Sequence, residues 1–111
     1  MSNCVFCRIV NNEIPSEKLY EDNEIVAFYD VAPQAPVHIL FVPKIHITSM
    51  AEVTAEHTAL MGRILVKIAF VAAELGLESY RIVTNSGENA GQTVFHLHFH
   101  VLGGRTEQRA F

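Results

Sequence analysis

Between Phe95 and Leu102 the chain reads Phe-His-Leu-His-Phe-His-Val-Leu, with Gly103-Gly104 directly behind. Strict alternation of imidazole with apolar side chains has the two-residue period of a β-strand. Such a strand sends His96, His98 and His100 to one side of a sheet and Leu97, Phe99 and Val101 to the other. One side goes to a core and the other is left for chemistry, with successive imidazoles roughly 7 Å apart at about 3.3 Å of rise per residue. A solvated face would carry Thr, Lys or Glu, and a packed face Val or Ile. A row of imidazoles therefore points to catalysis or to metal chelation. Tag histidines are contiguous and terminal, whereas these are spaced and set among strand formers.

A chain of 111 residues suits a single domain, residues 1–111, with a core of its own. Hydrophobic residues at 50%, charged residues at 18% and a net charge of -4 exclude disorder. They also lack the basic excess of a nucleic-acid surface, so no nucleic-acid partner is expected. The longest apolar runs, such as Val37 to Val42, are far too short for a membrane span. Met1-Ser2-Asn3-Cys4 shows no basic segment followed by an apolar one, so a cytoplasmic location is expected. Cys4 and Cys7 form a C-x-x-C, which in a reducing compartment reads as half a zinc site or as a redox pair. No strand precedes it, which speaks against a thioredoxin-like motif.

Along the chain, Val5, Phe6, Ile9 and Val10 have the spacing of a short helix over residues 4–12, ended by Asn11-Asn12 and Pro15. Leu19 to Glu21 and Glu24 to Tyr29 predict a hairpin turning at Glu21-Asp22-Asn23. Pro33 and Pro36 stiffen the connection to a buried strand, Val37 to Val42, that carries His38 and stops at Pro43-Lys44. Ser49-Met-Ala-Glu52 matches a capping box ahead of a long helix. In that helix Leu60, Met61, Ile64, Leu65, Ile68, Val71, Ala72 and Leu75 recur every three or four residues, and Gly76 ends it. Met61 and Phe70 are read as packing and His57 as a solvated helix residue. Tyr80 to Thr84 predicts a further strand, followed by the polar loop 85–92. Five strands and one long helix joined mostly by short turns predict an α+β domain with a largely antiparallel sheet. The phosphate-binding loops G-x-x-x-x-G-K-[ST] and G-x-G-x-x-G are absent.

An imidazole that attacks phosphorus must be neutral, must have its far nitrogen oriented, and needs donors for the phosphoryl oxygens. His98 is the middle of the row, and Gly91-Gln92-Thr93 can supply donors. Activity is expected to fall on acidification through a pKa near the usual value of about 6.5. Asp30 reads equally as a strand-end cap or as a ligand group, and His38 by default as a satisfied core histidine.

From Phe6 to Arg105 the chain resembles the histidine triad (HIT) superfamily, in its Hint-like branch of nucleotide hydrolases. The carriers are His96 to Leu102 with Gly103-Gly104-Arg105, Asp30-Val-Ala-Pro-Gln-Ala-Pro-Val-His38, Pro43-Lys-Ile-His46, and Asn85 with Gly91-Gln92. The resemblance implies a HIT-like fold with one long and one short helix, and a homodimer in which two five-stranded sheets join. It implies cleavage of purine nucleoside 5′-phosphoramidates or mixed anhydrides through a nucleotidyl-histidine, with His98 as nucleophile and His100, His38 and Thr93 assisting. Asn85, Gln92, Thr93, His98 and His100 would surround the phosphate. Asp30 would take the ribose hydroxyls, and Val5, Phe6, Ile9, Phe28, Tyr29 and Val31 would form the slot for the base. By the same resemblance, Cys4, Cys7, His46 and His96 would hold a structural zinc, and no catalytic metal is expected. At position 93 relatives often carry Ser, so the hydroxyl is kept and a methyl is added. The triad alone leaves open a dinucleoside polyphosphate hydrolase of the Fhit-like type and a nucleotide-binding or scaffold protein with incidental hydrolysis. A metal carrier built on H-x-H and C-x-x-C is open as well.

Overall fold

A computed structural model describes residues 4–104. Within them the order is α1 (Val5–Val10), β1 (Lys18–Glu21), β2 (Ile25–Tyr29), β3 (Val37–Pro43), α2 (Thr58–Glu74), β4 (Tyr80–Val83) and β5 (Phe99–Gly103). Among the described residues the five strands form one sheet in the order β1-β2-β3-β5-β4, and every neighbouring pair is antiparallel.

The hairpin turn is set by Asp22, whose carboxylate accepts the N–H groups of Glu24 and Ile25 at 2.8 Å each. Central β3 is buried from His38 onward and divides the interior into two layers. On one side Ile39 and Phe41 join Ile25, Ala27, Leu97, Phe99 and Val101 under Leu60, Ile64, Ile68 and Val71 of α2. On the other side Leu40 and Val42 join Val26 and Phe28 under Phe6 and Ile9 of α1. The period-2 reading of the histidine stretch thus predicted the faces correctly, since Leu97, Phe99 and Val101 all go to the α2 side.

Its extent is shorter than expected. The ladder begins only at Phe99, opposite Phe41. Continuing that register would place Leu97 opposite Pro43, which has no N–H to give. Residues 96–98 satisfy their backbone elsewhere: the Leu97 N–H donates to the Ile47 carbonyl at 2.6 Å, and the His98 carbonyl accepts the Thr84 hydroxyl at 2.7 Å. The predicted cap also moves. Ser49 caps only a 3-10 turn, Met50–Glu52, whereas Thr54 and His57 form the capping box of a second turn, Ala55–His57, that runs into α2. His57 is therefore a capping group, its Nδ1 accepting the Thr54 N–H at 3.0 Å.

Helix α2 buries Leu60, Ile64, Ile68, Val71 and Ala72. Leu65, Val66 and Phe70 lie on its outer face, 49%, 65% and 50% exposed, and Leu75 is exposed as well. Phe70 is thus not part of the core, and the Lys67 ammonium sits 5.7 Å from its ring centre.

Candidate active site

Three strands, β3, β5 and β4, and two loops converge on a cavity of about 540 Å³. Its lining includes Asp30, His38, Asn85, Thr93, His98 and His100 from the sequence-based set. Hydrogen bonds fix the tautomer of each imidazole there, because a carbonyl oxygen only accepts and a backbone N–H only donates. The Gln34 N–H donates to His38 Nδ1 at 3.0 Å, so a neutral His38 carries its proton on Nε2. That Nε2–H donates to His100 Nδ1 at 2.9 Å, which puts the His100 proton on its own Nε2. His98 Nδ1 lies 2.7 Å from the His96 carbonyl and must donate, so its Nε2 keeps the lone pair. The rings of His98 and His100 are 5.0 Å apart, closer than strand spacing alone predicts.

Burial keeps these imidazoles uncharged. It pushes His98 and His38 below the usual histidine value, against an opposing pull from the Asp30 carboxylate on both. His100 falls furthest, to about 4, through burial and then through charge repulsion from His98 and His38. Asp30 is both cap and cavity group: one oxygen accepts the Ala32 N–H at 2.8 Å and the other lies 3.5 Å from His38 Nε2.

His96 leaves the row. It is 0% exposed, and Phe6 stands edge-on between it and His98, with ring centres 6.0 and 5.0 Å away. Its Nε2–H donates to the Pro43 carbonyl at 2.8 Å, which turns Nδ1 toward Cys4 Sγ at 3.3 Å and Cys7 Sγ at 3.5 Å. His46 Nδ1 lies 3.3 Å from Cys7 Sγ, and all four ligand atoms fall within 4.8 Å of one another. A tetrahedral zinc with ordinary Zn–S and Zn–N bonds has an S···N edge of about 3.5 Å, so the donor set fits such an ion. The hydrogen bond from His96 to Pro43 is the outer support that a ligating histidine normally has. Burial, then the hydrogen bond between its thiol and Cys4, raises the Cys7 thiol to about 11, so a metal entering here displaces a proton.

Packing sets the surroundings of the other expected site residues. Gln92 is buried, its side-chain oxygen accepts the Gly87 N–H, and its amide donates to the Thr48 and Val94 carbonyls. Its own N–H donates to Gly87, so it braces the loop and has no donor left for a phosphate. Tyr29 alternates onto the α2 side, away from the cavity. Phe6, Ile9 and Phe28 pack on one another instead of forming an open slot, while Val31 is 97% exposed at the rim. Val5 lines a separate cleft of about 320 Å³ with Cys4, Thr93, Val94 and Phe95.

Asn85 lines the cavity while its Nδ2 donates to the Ala90 carbonyl at 2.9 Å. Sequence reasoning passed over Gln34, Arg81, Val83 and Leu102, all of them on the cavity wall. Alternation within β4 carried the signal for two of these. Tyr80 packs on the α2 side, so Arg81 and Val83 take the histidine side.

Residues 11–107 match the HIT domain family. The protein belongs to the HIT domain family. This HIT protein is 42% identical over 103 residues to the purine nucleoside phosphoramidase of Escherichia coli K12, covering 91% of its own chain and 87% of that one. It is 53% identical to an uncharacterized HIT-like protein of Synechococcus elongatus, over 92% of its own length and 90% of the relative's. Among solved structures, a HIT family hydrolase from Clostridium thermocellum superposes with a TM-score of 0.93 at 43% identity, covering 98% of this chain and 96% of that one.

Proposed function

We propose that this HIT protein hydrolyses the P–N bond of purine nucleoside 5′-phosphoramidates, or the corresponding mixed anhydride, through a nucleotidyl-histidine at His98. The observation that carries the reading is the bond from His98 Nδ1–H to the His96 carbonyl, which leaves a neutral ring with its Nε2 lone pair at a cavity wall. That lone pair attacks the α-phosphorus. The charge that develops on the ring is stabilised through Nδ1–H by the His96 carbonyl. His100, its Nδ1 filled by His38, offers its Nε2–H to the phosphoryl oxygens. The P–N bond breaks with its electron pair on nitrogen, which takes a proton from the Thr93 hydroxyl; water restores that proton. A second water then attacks phosphorus, its proton passes to solvent, and His98 leaves as the neutral imidazole with nucleoside monophosphate as the other product. Asp30 accepts the ribose hydroxyls, and the base lies against the edge of the Phe6, Ile9 and Phe28 cluster beneath Val31.

In the same reading, Cys4, Cys7, His46 and His96 hold a structural zinc. All four positions are filled by protein, so the ion ties α1 to the end of β3 and supplies no open site for substrate. The chain works as a homodimer joined through the outer face of α2 and the β4 edge, where Leu65, Val66, Phe70 and Ile82 are exposed. Reduced thiols at Cys4 and Cys7 suit the cytoplasm. No helix among the described residues is long and apolar enough to cross a membrane.

The experiment is His98→Asn, assayed on adenosine 5′-phosphoramidate. Turnover is expected to fall by at least about a thousandfold, some 4 kcal/mol of barrier, with AMP binding retained. Activity within tenfold of wild type overturns covalent catalysis at this residue. Diadenosine polyphosphates assayed alongside are expected to be the poorer substrates.

A further inference from the structure

The proposed nucleophile sits on a stretch of backbone that regular pairing does not hold. Pairing of β5 begins at Phe99 on the β3 side and at His100 on the β4 side, so His98 lies outside both ladders. Its working geometry is nevertheless narrow. The His98 Nδ1–H reaches the carbonyl of His96, two residues back in the same chain, at 2.7 Å. A contact that local is set by the backbone torsions between the two residues and by the rotamer of the ring, so it depends on what fixes the peptide planes around it. Three hydrogen bonds do so. The Leu97 N–H donates to the Ile47 carbonyl at 2.6 Å and the His96 ring to the Pro43 carbonyl at 2.8 Å, both on the N-terminal side of His98. On the C-terminal side, the His98 carbonyl accepts the Thr84 hydroxyl at 2.7 Å.

In a continued ladder that carbonyl would be served by a backbone N–H of the neighbouring strand. Among the described residues no backbone N–H bonds it, and the Thr84 hydroxyl takes the place. A strand favours threonine for its branched carbon skeleton, which valine shares, so the hydroxyl is the part that pairing does not require. Arg81, Val83 and Asn85 alternate onto the cavity wall, whereas Thr84 takes the other face and does not line the cavity. Its hydroxyl turns inward to β5, so a second chain along the β4 edge leaves the bond intact. We infer that Thr84 is a positioning residue for the nucleophile: by clamping the His98 carbonyl it keeps the ring with Nδ1–H on the His96 carbonyl and the Nε2 lone pair toward the cavity. The inference rests on the hydrolase reading above and deepens it. Without the clamp the peptide after His98 is free to turn, the ring parts from its acceptor, and the Nε2–H tautomer, which has no lone pair to offer phosphorus, becomes populated. A reacting atom displaced by about 1 Å loses on the order of a hundredfold in rate.

The test pairs Thr84→Val, which keeps the side-chain shape and removes the donor, with Thr84→Ser, which keeps the donor and removes the methyl. On adenosine 5′-phosphoramidate, Thr84→Val is expected to lose about tenfold or more in kcat with KM and AMP binding little changed, because Thr84 touches no substrate atom. Thr84→Ser is expected to recover most of that rate. Nitrogen NMR of the histidine rings reads the geometry directly. His98 is expected in its Nδ1–H form in wild type and in Thr84→Ser, and as a mixture of both tautomers in Thr84→Val. A merely structural role would lower the melting temperature of Thr84→Val and leave kcat and the tautomer as they are. Wild-type kcat in Thr84→Val, an unaltered tautomer there, or an equal loss in Thr84→Ser overturns the inference and leaves the hydrolase reading standing. Wild type that turns over no phosphoramidate overturns that reading and the inference with it.

Discussion

A single backbone N–H organises the imidazoles. Because Gln34 donates to His38 Nδ1, the protons of His38 and His100 are assigned in sequence along a chain that ends in the cavity. The environment also holds His38, His98 and His100 below the usual value of about 6.5, with His100 near 4. The folded protein therefore binds protons less readily than the unfolded chain. Stability from these groups is fully present above about pH 6.5 and is lost as pH falls toward 4. Urea midpoints at pH 8 and 7 are expected to agree, with a steady fall below pH 6.5; a midpoint flat down to pH 4.5 would contradict the burial argument. The same depression moves the acid limb of turnover below the pH 6.5 anticipated from free imidazole, which a pH profile of kcat/KM checks. The residue types of the site were readable in advance, since His98, His100, His38, Asp30, Asn85 and Thr93 all line the cavity. Gln92 was not, because a side-chain amide suits a phosphate and a loop brace equally well, and only its burial among three partners decides between them.

Two elements owe their form to partners distant in sequence. The histidine stretch alternates like a strand throughout, yet pairing starts at Phe99 because Pro43 ends the ladder on the neighbouring strand. That early end lets His96 swing its Nδ1 to the thiols at the start of α1. Helix α1 is only six residues, too short to persist alone, and it is held by Phe6 and Ile9 on one side and by the Cys4, Cys7, His46 and His96 cluster on the other. Protein purified without a histidine tag is expected to carry about one zinc per chain. Chelation or Cys4→Ser is expected to lower the melting temperature by several degrees, as seen by calorimetry. Less than about a tenth of an equivalent, from cells replete in zinc, would remove the ion from the account.

At the scale of the whole molecule, the outer face of α2 and the β4 edge expose a run of Leu65, Val66, Phe70 and Ile82 that a lone chain would be expected to cover with polar residues. Light scattering is expected to give twice the chain mass, and Val66→Glu with Phe70→Glu to give the single chain; a wild-type monomer would contradict the dimer. What the sequence determined by itself was periodic and local: the two faces of the histidine stretch, the Leu60, Ile64, Ile68, Val71 and Ala72 part of the α2 stripe, the class of the fold, and the residue types able to do chemistry. Alternation and helical spacing follow from backbone geometry, which every residue carries with it. What only the tertiary structure decided was which polar groups are already spent and which remain free. Gln92 is consumed by its loop, His96 by the thiols and Pro43, and Tyr29 by the opposite core, while His98 keeps its Nε2 lone pair at the cavity wall. Hydrogen-bond partners come from distant parts of the chain, so their assignment exists only once the sheet has closed.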